Sequence, residues 1–188
     1  MKIRNEQIIH RFKNLFPLNA PKDDLKSFLD YLNTNSIDTK RVLVKSSKLN
    51  YKMAYFGLLM KYISKVDKLP TLDFINTYQI VEIYFTNTSG DLPYHDLSSF
   101  DTDILGINIG LSDPNSKKST ELVQYLMYDY ERFSKSLWLF VKGDNKDVLT
   151  LAKELNYTII DLDSIVPNKK PSTKQSTKTY SMSNVDIF

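Results

Sequence analysis

The feature that most constrains this chain is the alternation of short, nearly unbroken apolar runs with stretches whose apolar residues recur every three or four positions. Residues 42–45 (VLVK), 80–85 (IVEIYF), 104–110 (ILGINIG), 136–141 (SLWLFV) and 157–162 (YTIIDL) are rich in β-branched and aromatic side chains and read as strands. Between them, Leu49, Met53, Phe56, Leu59, Met60, Ile63 and Val66 fall at helical spacing. So do Leu122, Val123, Leu126, Tyr130 and Phe133, and again Val148, Leu151, Ala152 and Leu155. A strand that is apolar throughout must be covered on both faces, which a parallel sheet under crossover helices provides. The expected fold is α/β: a five-stranded, mostly parallel sheet with helices on both faces, joined by right-handed crossovers.

Ahead of the first strand, Ile8, Ile9, Phe12, Leu15 and Phe16 make one helical face with Asn5 as a cap. A second helix has Pro21 at its first position, Asp23 and Asp24 in its first turn, and Leu25, Phe28, Leu29 and Leu32 as its stripe. Both are expected to be packing helices. The organisation read from the chain is therefore N-terminal helices over 1–38, an α/β domain over 39–165, and a tail over 166–188.

Charge singles out the tail. The 188 residues carry 25 Lys and Arg against 22 Asp and Glu, for a net charge of +3. From Val166 onward lie Lys169, Lys170, Lys174 and Lys178 against Asp186 alone, so the excess sits there and the rest of the chain is balanced. Pro, Ser, Thr and Lys dominate this segment, which has too little apolar surface to offset its ordering entropy and is expected to be disordered. Its lysines are suited to weak, salt-sensitive contact with nucleic acid, although a solvated tail accounts for them as well. Cysteine is absent, which excludes disulfides and thiolate metal sites. His10 and His95 are the two imidazoles and do not stand at ligand spacing, so neither a metal nor a cofactor is expected. The first sixteen residues intersperse charges too closely for a signal peptide, and no apolar run reaches membrane-spanning length. The expected setting is cytoplasmic, with no membrane partner.

The stretch after VLVK has the context of a phosphate-binding loop, strand then turn then helix. Set against G-x-x-x-x-G-K-[ST], the eight positions are Ser46, Ser47, Lys48, Leu49, Asn50, Tyr51, Lys52 and Met53. Lys52 is retained. Ser46 and Tyr51 replace the glycines, and Met53 replaces the hydroxyl that holds magnesium. Methionine offers no hard oxygen to that ion, and a tyrosine at a positive-φ position would cost roughly 1–3 kcal/mol. The second half of such a site is a strand ending in acids. Here Asn108 stands at the magnesium position and Ile109 at that of the catalytic acid. Isoleucine cannot act as a base. Lys142, Gly143, Asp144 and Asn145 follow the next strand, where a working enzyme places a polar sensor.

In this order and spacing the chain resembles the AAA+/RecA-like P-loop ATPases, and among them is most similar to bacterial and phage replicative helicase loaders. The stretch from Asp103 to Asn108, the helix of residues 122–133 and the strand of 136–141 carry the resemblance, over roughly residues 40–163. It implies a P-loop NTPase-like fold and a role in DNA replication, with no lid domain expected after the fifth strand. ATPase activity is not implied, because Ser46, Tyr51, Met53, Asn108 and Ile109 stand where its residues belong. The Lys, Asn and Ile richness suits a phage or mobile element of an AT-rich host.

The last five residues, Asn184, Val185, Asp186, Ile187 and Phe188, resemble the pentapeptide with which bacterial replication and repair proteins dock on the sliding clamp, with Asn184 in place of the usual Gln. Two large apolar residues at the tip of a polar tail call for a pocket in a partner. The expected function is a non-hydrolysing, helicase-loader-like or clamp-loader-like accessory protein of replication. Its partners would be a replicative helicase or loader ATPase and the sliding clamp. Two other readings compete. Asp91, His95, Asp96, Asp101 and Asp103 are the acids and imidazole of a metal- or nucleotide-dependent, nuclease-like enzyme, and a purely structural interaction protein needs no site at all. Tyr125, Tyr128, Tyr130, Phe133 and Trp138 suggest a base-stacking platform, against the simpler expectation of core packing.

Overall fold

In the computed structural model the described residues are 22–47, 51–66, 70–77, 79–80, 102–110, 116–132, 135–143 and 145–166. The elements in order are α1 (Lys22–Thr34), β1 (Arg41–Ser46), α2 (Tyr51–Ile63), β2 (Leu72–Asn76), β3 (Ile104–Ile109), α3 (Ser116–Arg132), β4 (Ser136–Lys142), α4 (Lys146–Glu154), β5 (Thr158–Asp161) and α5 (Leu162–Ile165). The strands form one sheet in the order β2-β3-β4-β1-β5. Every pair is parallel. The expected fold class is thus met, with "mostly parallel" sharpened to wholly parallel.

The apolar runs explain the layers. Val42, Leu43 and Val44 are fully buried, as are Leu137 through Val141, because these two strands are central and covered on both sides. One face carries α1 and α2, whose Phe28, Leu32, Met53, Tyr55, Leu58 and Leu59 pack with Val42, Val44, Trp138 and Phe140. The other carries α3 and α4, whose Leu122, Leu126, Val148 and Leu151 pack with Leu43, Leu105, Ile107 and Leu139. Alternation along each strand sends neighbouring residues to opposite cores. In α2 every residue from Met53 to Leu59 is buried, since the helix is sandwiched between the sheet and α1, and a helix buried all round loses its apolar stripe. The first N-terminal helix expected from sequence lies outside the described residues, and so does the tail. Among the described residues no helix is long and apolar enough to cross a membrane.

The second strand is the correction. It is LDFIN, Leu72–Asn76, whereas sequence pattern favours residues 80–85. Ile80 is buried and lies in a helical turn with Thr77 and Gln79, and residues 81–85 lie outside the described residues. The turn begins for a local reason. Gln79 N–H donates to Asn76 Oδ1 at 2.9 Å while Asn76 N–H donates to Gln79 Oε1 at 2.9 Å, the reciprocal arrangement of a capping box. Other boundaries moved by a residue or two. Residue 110 falls beyond β3, and Leu162, read as the end of the fifth strand, opens α5. Asn145 caps α4 through its side chain, which accepts from Val148 N–H, and Asn156 closes that helix with φ of 56°.

The aromatic residues of the expected platform part company: Tyr125 and Tyr130 belong to the α3–α4 core, Trp138 to the α2 core, and Tyr128 is exposed. Trp138 is fully buried and donates from Nε1 to the Thr39 carbonyl at 2.7 Å. Tyr130 packs on the opposite face, and Phe133 lies outside the described residues. A shared stacking platform is therefore excluded for Trp138 and Tyr130. In the α2 core Tyr55 meets Phe74, Trp138 and Phe140 with ring centroids 5.1, 5.4 and 5.9 Å apart. Gly106 makes this possible: a Cβ there would lie 2.7 Å from both Phe74 Cδ2 and Tyr55 Cε2. Gly106→Ala is accordingly expected to destabilise the fold by about 1–3 kcal/mol through overpacking, read as a lower urea midpoint at unchanged slope.

Candidate functional site

In a parallel sheet every strand delivers its chain to the same edge, and that edge is where α/β proteins build sites. Ser46 ends β1 opposite Lys142 of β4, and Ile109 of β3 stands opposite Val141 of the same strand. The loop after β1 and the tip of β3 therefore share one edge, with β4 between them, about 10 Å apart at two strand spacings. Asn108 is half-buried and paired with Phe140 and Asn76. By alternation it faces the α2 side, as Gly106 does, while Ile109 joins the α3–α4 core.

Two of the other loop positions, Tyr51 and Met53, serve packing. Met53 is 2% exposed within the α2 core. Tyr51, at the second glycine position, opens α2 as an ordinary helical residue and stacks on Phe74 with centroids 5.3 Å apart and planes 13° apart. Lys52 is exposed. Lys48, Leu49 and Asn50 lie outside the described residues, as do Asn184 to Phe188.

What surrounds Ser46 was not anticipated from sequence. Its hydroxyl donates to Asp163 Oδ1 at 2.6 Å, and the Ser47 backbone N–H donates to Oδ2 of the same carboxylate at 2.7 Å. Asp163 comes from α5, the short turn after β5. Asp161 is the cap of that turn, accepting from Asp163 N–H, and also pairs with Lys45 Nζ at 2.9 Å. The turn after β4 closes the arrangement: Gly143, with φ of 76°, donates its N–H to the Ser46 carbonyl at 2.9 Å, and positive φ is the reason a glycine stands there. Lys45, Ser46, Ser47, Gly143, Asp161, Asp163 and Ser164 line a cavity of about 390 Å³. This cavity opens on the β5 side of β1. The tips of β1 and of β3 at Asn108 share the sheet edge with β4 between them, and the cavity at Ser46 is lined by the turn after β4 and by α5 instead.

Burial tends to raise the Asp163 carboxyl, yet donation from Ser46 and from the backbone and hydroxyl of Ser47, with the Lys45 charge nearby, outweighs it and holds the group below its ordinary value. The signal available in sequence was Asp161-Leu162-Asp163 directly after the last strand, at the edge where the β1 loop must also end.

The acids of the competing enzyme reading are placed differently. Asp103 precedes β3 at the opposite edge of the sheet, and its carboxylate accepts from Thr71 N–H at 2.8 Å and Thr71 Oγ1 at 3.0 Å. Asp91, His95, Asp96 and Asp101 lie outside the described residues. Among the described residues no three His, Cys, Asp or Glu side chains are grouped to hold a metal ion. The sensor position is likewise spoken for, with Asn145 serving as the α4 cap.

No protein-family model matches this chain, and no curated protein is significantly similar to it in sequence.

A lowered carboxyl contributes stability that is complete above its unfolded pKa and is lost as pH falls through the folded value. Asp163→Asn is therefore expected to cost roughly 0.5–1.5 kcal/mol at neutral pH, the half-exposed setting reducing the usual worth of charged hydrogen bonds. The gap from the parent chain should narrow in urea titrations as pH drops below about 4.

Proposed function

We propose that this chain is a non-hydrolysing relative, in architecture, of the AAA+/RecA-like ATPases that acts as an accessory protein of DNA replication, in the manner of a helicase loader or clamp loader, by binding other proteins. One observation carries the reading. The strand that ends in the loop position, the strand that ends at Asn108 and Ile109, and the strand between them deliver their tips to one edge in the order β3-β4-β1. This order sets the positions compared with phosphate loop, sensor and acid side by side, and it differs from the doubly wound orders in which the first strand neighbours the second or third.

The chemistry of the edge supports the non-hydrolysing half of the proposal. Magnesium would need a hydroxyl where buried Met53 sits and an acid where Asn108 sits. A polarised water would need a base where buried Ile109 sits. The Ser47 N–H, which a phosphate would take, is held by Asp163. A fold kept without its catalytic residues retains surfaces, and binding is the function surfaces perform. Partner choice rests on the terminal Asn184–Phe188 segment and on the helicase-loader resemblance.

Two measurements test this. A fluorescent ATP analogue with magnesium is expected to show no saturable binding, unchanged by Lys52→Ala; saturable, Lys52-dependent binding would contradict the non-hydrolysing reading. In pull-downs, a bacterial sliding clamp is expected to be retained by the full chain and lost when residues 184–188 are removed. Retention of the clamp by the truncated chain would remove residues 184–188 as the docking element, retention by neither form would remove the clamp as a partner, and self-assembly without any replication protein would favour a structural role.

A further inference from the structure

Among the described residues Tyr128 is the one large apolar side chain exposed to solvent, at 54%. It stands one helical turn after Gln124 on α3, so the two edge the same groove. The facing wall is α4, where Asp147, Thr150, Leu151 and Glu154 recur at intervals of three and four along one side of the helix. These six enclose about 350 Å³, with the buried Leu151 as an apolar floor. The lining carries two carboxylates and no cation. Neither acid has an ion-pair partner among the described residues. Glu154 is also the last residue of α4, where the helix field favours positive charge. An exposed phenol ring, two open carboxylates and an apolar floor suit a long cationic side chain, whose stem lies on the floor while its ammonium meets the acids and the ring.

We propose that the groove between α3 and α4 is the docking site for the chain's own lysine-bearing segment, residues 167–188. Charge complementarity selects this occupant. The segment holds Lys169, Lys170, Lys174 and Lys178 against Asp186, while the rest of the chain is balanced. Length permits it. Val166 packs on the α2 side, and the turn that leads into α4 lines the same cavity as α5 at the sheet edge. Passing from one helical layer to the other takes about 20 Å, at roughly 10 Å per layer. From Val166 the eight residues to Lys174 span up to about 26 Å, and the twelve to Lys178 up to about 40 Å. Each contact is weak because the groove is open to water. Tethering compensates: an effective concentration on the order of 1 mM fills a site of similar dissociation constant about half the time. A lysine held there is not available to a nucleic-acid phosphate. The inference is independent of any replication partner, since groove and segment belong to one chain.

The test uses the full chain, whose lack of cysteine allows one nitroxide to be placed through Ser176→Cys, between Lys174 and Lys178. In ¹⁵N NMR at low salt the amides of Tyr128, Thr150 and Glu154 are expected to lose about half their intensity to the spin label. Full intensity should return with Asp147→Asn and Glu154→Gln together, with all four tail lysines changed to Gln, and in about 0.5 M sodium chloride, which screens the contacts. The lysine variant leaves every described residue as it is, so its response does not depend on the fold tolerating a change. Groove amides that keep full intensity in the labelled parent overturn the proposal and leave the groove to a cation from another protein. Broadening that survives the carboxylate and lysine variants overturns it as well. So does broadening that passes from labelled chains to unlabelled ¹⁵N chains in a mixture, which would make a second copy the occupant.

Discussion

Parallel pairing of β1 between β4 and β5 is the constraint from which the rest of this molecule follows. Val42, Leu43 and Val44 have no exposed surface, so β1 must lie at the centre of three layers, with a ladder on each side and helices above and below. A parallel ladder cannot be closed by a hairpin. Each strand must be followed by a crossover, and every crossover leaves from the same edge. The meeting of Ser46, Ser47, Gly143, Asp161 and Asp163 is a consequence: three strands lie side by side and their chains turn at one place. Nothing beyond apolar burial is needed to bring the first loop of the domain against its last helix.

At that edge the residues compared with a phosphate loop are engaged within the chain itself. A working phosphate loop needs glycines because backbone must approach an anion closely. Here Tyr51 lies on Phe74, and Met53, itself in α2, is buried in the core, so these positions serve packing. Ser46 and Ser47 direct their donors at a carboxylate from the same chain. That contact ties α5 to β1 and is part of folding stability.

The sequence was legible where burial is complete. β1, β3 and β4 are central, and their apolar runs announce them; β5 lies at the far edge with only Ile160 of its residues buried and is announced by its β-branched composition instead; α3 and α4 show clear stripes because each faces the sheet on one side only. β2 escaped because it is an edge strand whose Leu72, Asp73 and Phe74 are only half-buried, so its composition is mixed. The stronger apolar run after it misled, since periodicity ignores the Asn76–Gln79 capping box that starts a helical turn just before Ile80. Strand–turn–helix order was legible from Arg41 to Ile63 because the apolar run of β1 and the buried residues of α2 bracket it. Asp163 was missed for a physical reason: its role depends on β5 lying beside β1, a pairing between segments more than a hundred residues apart that no local pattern encodes.

The account depends on the carboxylate of Asp163 being held by the donors at the end of β1. A double-mutant cycle of Ser46→Ala and Asp163→Ala, followed by urea unfolding at neutral pH, measures that interaction directly. The structure predicts a coupling energy of about 0.5–2 kcal/mol between the two side chains. Strictly additive losses, with no coupling, would contradict it.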